Sequence, residues 1–276
     1  MCEINIPVGI SDFEKIRKDN YYYIDKSELI AQLMKNSSAE VILIIRPRRF
    51  GKTLAISMLE NFFDIRKNGR EIFHGLKIAQ NADLCQKWMN QWPVVSISFR
   101  QVDGLNFDSA YSMLTEVISE LYRRHSYLLN STELSDFDKT LITRYIERTA
   151  LPVDIKSSLV FLTHILNIHY DKKVILLIDE YDVPIAKANS HGYYKEMLDV
   201  MKGIMQALKD NTSLRFAVIT GCLKIAKESI FTGTNNFISD TISDSRLNEY
   251  FGFTPKDVDK LLKDSNFEDK SDNFKS

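Results

Sequence analysis

Cysteine is scarce: Cys2, Cys85 and Cys222 are the only three in 276 residues, and they stand far apart. With no C-x-x-C pair and no neighbouring histidine cluster, a disulfide scaffold and a thiolate zinc site are excluded, and a reducing compartment, the cytoplasm, is expected. Long apolar runs are also missing. Stretches such as Val41–Ile45 fall far short of the ~20 residues that a membrane helix requires. The N-terminus, with Glu3 and Pro7, lacks a basic region followed by an apolar core, so neither secretion nor membrane spanning is indicated. Net charge is nearly absent, with 36 Lys and Arg against 37 Asp and Glu, a balance of −1. That excludes a pervasive basic footprint for nucleic acid and leaves only a local groove open. No internal repeat, heptad array or low-complexity linker occurs. His74, His125, His164, His169 and His191 show no spacing that joins carboxylates into a metal site. What is present, 44% hydrophobic residues, suffices for one main globular core.

The richest segment is Val41–Ile45 running into Arg46-Pro47-Arg48-Arg49-Phe50-Gly51-Lys52-Thr53. The apolar run reads as a central strand, and Leu54–Phe63 carries apolar residues at helical spacing. Strand, loop, helix is the context in which Gly-Lys-Thr cradles phosphates. Gly51 gives the tight turn, Lys52 an ammonium for the β- and γ-phosphates, and Thr53 a hydroxyl for Mg²⁺. Free N–H groups at the helix start favour an anion. Arg49, Phe50, Gly51, Lys52, Thr53 and Leu54 are therefore expected at the nucleotide. The loop departs from G-x-x-x-x-G-K-[ST], because Arg46 stands in place of the first glycine and Pro47 lacks an amide donor.

A second apolar run, Val174–Ile178, ends in Asp179-Glu180. A strand delivering two carboxylates places Asp179 to hold Mg²⁺, directly or through water. Glu180 is then placed to orient or deprotonate an attacking water. The two halves together predict an ATP and Mg²⁺ site with Lys52, Thr53, Asp179 and Glu180 as its working residues.

Further strands are expected at Pro93–Phe99, Leu214–Thr220 and Phe237–Ile242. Amphipathic helices are expected near Ser109–Leu129, Ser135–Arg148 and Ile155–Tyr170. Alternating elements predict α/β layers around a mainly parallel sheet. A helix over Lys26–Lys35 lies in an N-terminal extension, residues 1–38. The core is expected over 39–252, and residues 253–276 hold a last helix, Pro255–Leu262 with Thr254 as N-cap, and a polar tail. Tyr21-Tyr22-Tyr23 suits an aromatic packing cluster better than a base-stacking site.

On these residues the chain resembles the AAA-ATPase-like family of prokaryotic P-loop proteins, often fused to a restriction-endonuclease-like nuclease domain. The likeness runs from Ile6-Pro7-Val8-Gly9-Ile10 through Tyr21–Ser27 and the variant loop, in which Arg at the first position is usual. It continues through Asp179-Glu180-Tyr181-Asp182-Val183-Pro184, Ile219–Ile225, Ser229–Asn236 and Tyr250-Phe251-Gly252-Phe253-Thr254. It implies a P-loop NTPase core of the additional-strand type, in which the strand carrying Thr220 lies between the phosphate-loop strand and the Asp179 strand. It also implies a helical lid of which only the first helix is expected here.

Thr220 resembles the polar sensor that contacts the γ-phosphate or the attacking water, and a strand-end hydrogen bond is the other reading. Arg48 and Arg49 suit phosphate or a surface carboxylate. Arg246 suits a finger toward a neighbouring subunit or plain solvation. Asp182 suits a brace for the Mg²⁺ shell. The expected activity is Mg²⁺-dependent ATP hydrolysis that switches a conformation read by a partner protein, a partner domain or a second copy. A nucleotide-binding regulatory module with little turnover is the alternative, and no membrane or nucleic-acid partner is supported by the residues.

Overall fold

The computed structural model describes residues 5–35, 40–225, 230–231 and 237–265. Residues 226–229 and 232–236, which hold most of the Ser229–Asn236 stretch, and the polar tail from 266 onward lie outside them. Along the chain run α1 (Phe13–Lys18), α2 (Glu28–Lys35), β1 (Val41–Ile45), α3 (Lys52–Phe63), α4 (Gly69–Ile72), α5 (Ala82–Trp88) and β2 (Val94–Ser98). Then come α6 (Phe107–Arg124), α7 (Asp136–Glu147), α8 (Pro152–Tyr170), β3 (Val174–Asp179), α9 (Val183–His191) and α10 (Tyr194–Ile204). The chain continues through β4 (Leu214–Gly221) and β5 (Phe237–Asp240) to α11 (Pro255–Asp264).

The described strands form one five-stranded sheet in the order β2-β3-β4-β1-β5, with every pair parallel. All residues of β1 and β3 are buried, which is why they read as unbroken apolar runs and not as alternating ones. Successive side chains still point to opposite faces. Val41, Leu43 and Ile45 join one cluster with α6, α8 and α10. Ile42 and Ile44 join a second with Phe13 of α1, Leu29 and Leu33 of α2, and Leu59 and Phe62 of α3. The protein is thus an α/β fold with a parallel sheet covered on both faces.

α2 begins at Glu28 and not at Lys26, because Ser27 N–H donates to Asp25 Oδ1 and Lys26 N–H to the Tyr23 hydroxyl. These bonds spend the preceding amides in a turn. Tyr23 packs edge-on to Phe13 with ring centroids 5.4 Å apart and donates to Met58 Sδ, a packing role. α6, α7 and α11 start on capping boxes led by Asn106, Ser135 and Thr254. No single helix among the described residues is long and apolar enough to cross a membrane. The α7–α8 pair would be by length and composition, but it is bent by 118°, and Ile142, Leu159, Leu162 and Leu166 lie in the core.

Candidate functional site

The parallel register brings five strand ends to one edge. Ile44 is opposite Thr220 and also opposite Asp240, and Ser98 is opposite Asp179. In an open α/β sheet this carboxyl edge is where ligands bind. The loop from Arg46 to Gly51 leaves β1 there and turns into α3. Arg49 and Gly51 both have left-handed backbone, at φ 68° and 78°, and only the glycine takes it at no steric cost. Gly51 is the N-terminal cap of α3 and no side chain caps the helix, which leaves amides for an anion.

Lys52 is 4% exposed. Its Nζ donates to the carbonyls of Arg46 and Pro47 at 3.0 and 2.9 Å and to Cys222 Sγ at 3.2 Å. Thr53 Oγ1 donates to Asp179 Oδ2 at 2.8 Å. The other oxygen of Asp179 accepts from Thr220 Oγ1 at 2.5 Å, and Ser98 Oγ lies 3.4 Å from Oδ2. Asp179 is buried to 1% exposure and Thr220 completely, so hydroxyl donors offset the cost of burying the carboxylate. The expected residues Lys52, Thr53, Asp179 and Thr220 therefore meet in one cluster, with Thr220 against the carboxylate and closed to solvent.

Mg²⁺ fits this donor set. Neighbouring oxygens of an octahedral shell with bonds of about 2.1 Å lie about 3 Å apart, close to the 2.8 Å between Thr53 Oγ1 and Asp179 Oδ2. Among the described residues no group of three or more His, Cys, Asp or Glu could hold a metal. The remaining ligands would be phosphate oxygens and water, the usual arrangement for this ion.

Glu180 follows at the strand end with φ 52°, a strained conformation for a non-glycine residue. Burial raises its carboxyl above the usual range, and Asp179 adds to the rise, while Lys52 and Arg100 pull the other way. A raised carboxyl is a better proton acceptor near neutral pH. Arg100, exposed at the end of β2, is a neighbour that the sequence patterns did not single out.

The loop arginines divide by role. Arg48 and Arg49 are exposed, and among the described residues neither forms an ion pair. Arg46 is buried to 1% exposure. It donates to Asp240 Oδ1 at 2.5 Å and to the carbonyls of Asp240 and Ile45, and its guanidinium stacks on the Phe251 ring at 5.2 Å. The arginine at the first-glycine position is thus a tie between the loop root and β5. Arg246 donates from Nε to Asp240 Oδ2 at 3.1 Å, so its half-buried side chain joins this group. Phe50 and Leu54 are half-buried and pack against the α3-side cluster. Phe50 O accepts from Gly252 N–H at 3.1 Å.

Asp182 is hydrogen-bonded to the end of β4. Its Oδ2 accepts the backbone N–H groups of Cys222 and Leu223 at 3.0 and 2.8 Å, because the chain turns into α9 and aims the side chain at the end of β4. Tyr181 grips the same stretch, donating to Leu223 O and accepting from Ile225 N–H. Asp240, Cys222 and Ser98 are participants that sequence reasoning missed. No local pattern marks Asp240 or Ser98, and Cys222 lies within the Ile219–Ile225 stretch without a role read for it.

The family model described as Predicted AAA-ATPase matches residues 7–231. A protein of Azotobacter chroococcum mcd 1, called "Uncharacterized protein in vnfD 5'region", is 30% identical over 265 residues, covering 95% of this chain and 45% of that protein. The chain therefore spans less than half the length of that relative. No solved structure matches. With the family model matching residues 7–231, most of its length, this chain belongs to the AAA-ATPase-like family.

Proposed function

We propose that this protein binds ATP with Mg²⁺ and hydrolyses it, and that the cycle switches a conformation read by a partner protein, a partner domain or a second copy. The observation that carries the reading is the Thr53–Asp179–Thr220 hydrogen-bonded chain beside Lys52 at the sheet edge. The position of β4 between β1 and β3 supports the additional-strand class of P-loop NTPases.

In this reading the α3 amides and the Lys52 ammonium hold the β- and γ-phosphates, and Thr53 and Asp179 would hold Mg²⁺. When bound, the ion supplies charge neutralisation on the phosphates as bond breaking proceeds. Thr220 fixes Asp179 in one orientation. Glu180 orients the attacking water and takes up its proton, a role matched to its raised carboxyl. The Arg49, Phe50 and Leu54 backbone completes the cradle.

Binding and hydrolysis of ATP by the purified protein, with and without Mg²⁺, test the proposal beside Lys52→Ala and Glu180→Gln. Hydrolysis lost in both variants, with binding kept only in Glu180→Gln, is the expected result. No ATP binding by the wild type overturns it. A regulatory module with little turnover is the second reading, favoured by the engagement of Arg246 with Asp240, which leaves that arginine unassigned to a phosphate. Binding without turnover in the wild type would select it.

A further inference from the structure

The contact between Lys52 and Cys222 joins residues 170 positions apart, at 3.2 Å. It is a built contact. Asp182, 2% exposed, holds the Cys222 and Leu223 amides on one oxygen, and the Tyr181 hydroxyl holds Leu223 and Ile225. Gly221 lets the strand end lie directly on both side chains: a Cβ there would come 2.5 Å from the Tyr181 ring and 2.8 Å from Asp182 Oδ1. These restraints fix the backbone that carries the thiol, and the thiol faces the one ammonium that the phosphate loop contains.

We propose that Cys222 is a positioning residue for Lys52. It holds the ammonium in a parked orientation over the Arg46 and Pro47 carbonyls, from which a polyphosphate must draw it; the consequence for ATP rests on the function proposed above. A thiol suits this task because sulfur is a weak, neutral acceptor. Two carbonyls and a thiol keep a buried ammonium satisfied, as burial demands, yet compete poorly with phosphate oxygens. A hydroxyl at this place holds Lys52 more firmly, and a carboxylate pairs with it and keeps it from the nucleotide.

The test is a series in which acceptor strength at one position rises through Cys222→Ala, wild type, Cys222→Ser and Cys222→Asp. Acylation of Lys52 by a small amine-reactive ester is followed by mass spectrometry in nucleotide-free protein, with the exposed Lys195 as internal reference. ATP affinity is measured on the same samples. Lys52 labelling relative to Lys195 is expected to fall along the series, by about three- to tenfold between Ala and Ser, the range one hydrogen bond spans. ATP affinity is expected to fall in the same order, with Cys222→Asp weakest.

Equal labelling across folded variants overturns the inference whatever ATP does. Graded labelling with no ATP binding in any variant keeps the parked lysine and overturns the proposed function. Should Cys222→Asp fail to fold, the Ala and Ser pair decides alone. Graded ATP affinity without graded labelling also counts against the inference, because it moves the nucleotide through something other than Lys52.

Discussion

Arg46 and Asp240 form a buried ion pair, each with its side chain 1% exposed, across 194 positions of sequence. A buried pair contributes little net stability, but losing one partner strands a charge and costs about 3–5 kcal/mol. Asp240→Ala is therefore expected to lower the unfolding free energy by about that amount, measured by urea denaturation. Arg46→Gly, which restores the general loop pattern, is expected to destabilise rather than improve the protein, since it leaves Asp240 with Arg246 alone. Full stability in Arg46→Gly would show that the pair does not anchor the loop.

Glu180→Gln is expected to raise thermal stability at neutral pH. The folded carboxyl has a raised pKa, so the folded state binds a proton that the unfolded state releases as pH climbs past the ordinary carboxylate value. The penalty is absent at acid pH below that value, grows through the window up to the folded pKa, and is constant above it. The variant and wild type should thus melt together in acid and diverge toward neutrality. A constant difference at all pH values would contradict this origin.

Hydrolysis in the wild type is expected to fall as pH drops through a pKa above the ordinary carboxylate range, reporting Glu180 as proton acceptor. The pH–rate profile of kcat measures it. An acid limb at or below the usual carboxylate value would remove Glu180 from that role.

Thr220→Val removes the hydroxyl that holds Asp179 while keeping the shape of the side chain. It strands one buried carboxylate oxygen, for a loss of about 1–3 kcal/mol of stability. The Mg²⁺ concentration needed for half-maximal hydrolysis is expected to rise, and Thr220→Ser to restore it. An unchanged Mg²⁺ requirement in Thr220→Val would assign Thr220 to packing alone.

Gly221→Ala must drive a methyl into the Tyr181 ring and Asp182, an overpacking cost of about 1–3 kcal/mol. Circular dichroism melts measure it. Shortening the ring in Tyr181→Leu on the same background should recover part of the loss, because the nearest contact is to that ring.

The layers of this fold were legible in the sequence because fully buried parallel strands carry a continuous apolar signal. Val41–Ile45 and Val174–Asp179 coincide with their expected runs to within a residue. Thr254 capped α11 as its side chain suggested. Residues 64–92 hold the short helices α4 and α5 and a 3-10 turn at Lys77–Gln80, too brief for a 3.6-residue period to emerge. The meeting of Thr53, Asp179 and Thr220 was legible because the expected chemistry demands fixed residue types at fixed spacing. What holds them in place was not. Asp240 under Arg46 and Cys222 beside Lys52 are pairings across more than 150 residues, and only the crossovers of the chain bring them together.

Gly252 donates its amide to Phe50 O, and its α-carbon lies so close to the Phe50 ring that a Cβ would stand 3.1 Å away. Three residues later α11 begins, with Asp257 paired to Lys26 at 2.5 Å and Asp264 accepting from Tyr22 at 2.8 Å. The loop from Arg46 to Gly51 is therefore one end of a short lever whose other end is the seat of the last helix on the N-terminal segment. Thermodynamic linkage makes such a lever work in both directions. Whatever factor a loop-bound anion adds to the seating of that helix, a partner that lifts the helix subtracts from the hold on the anion.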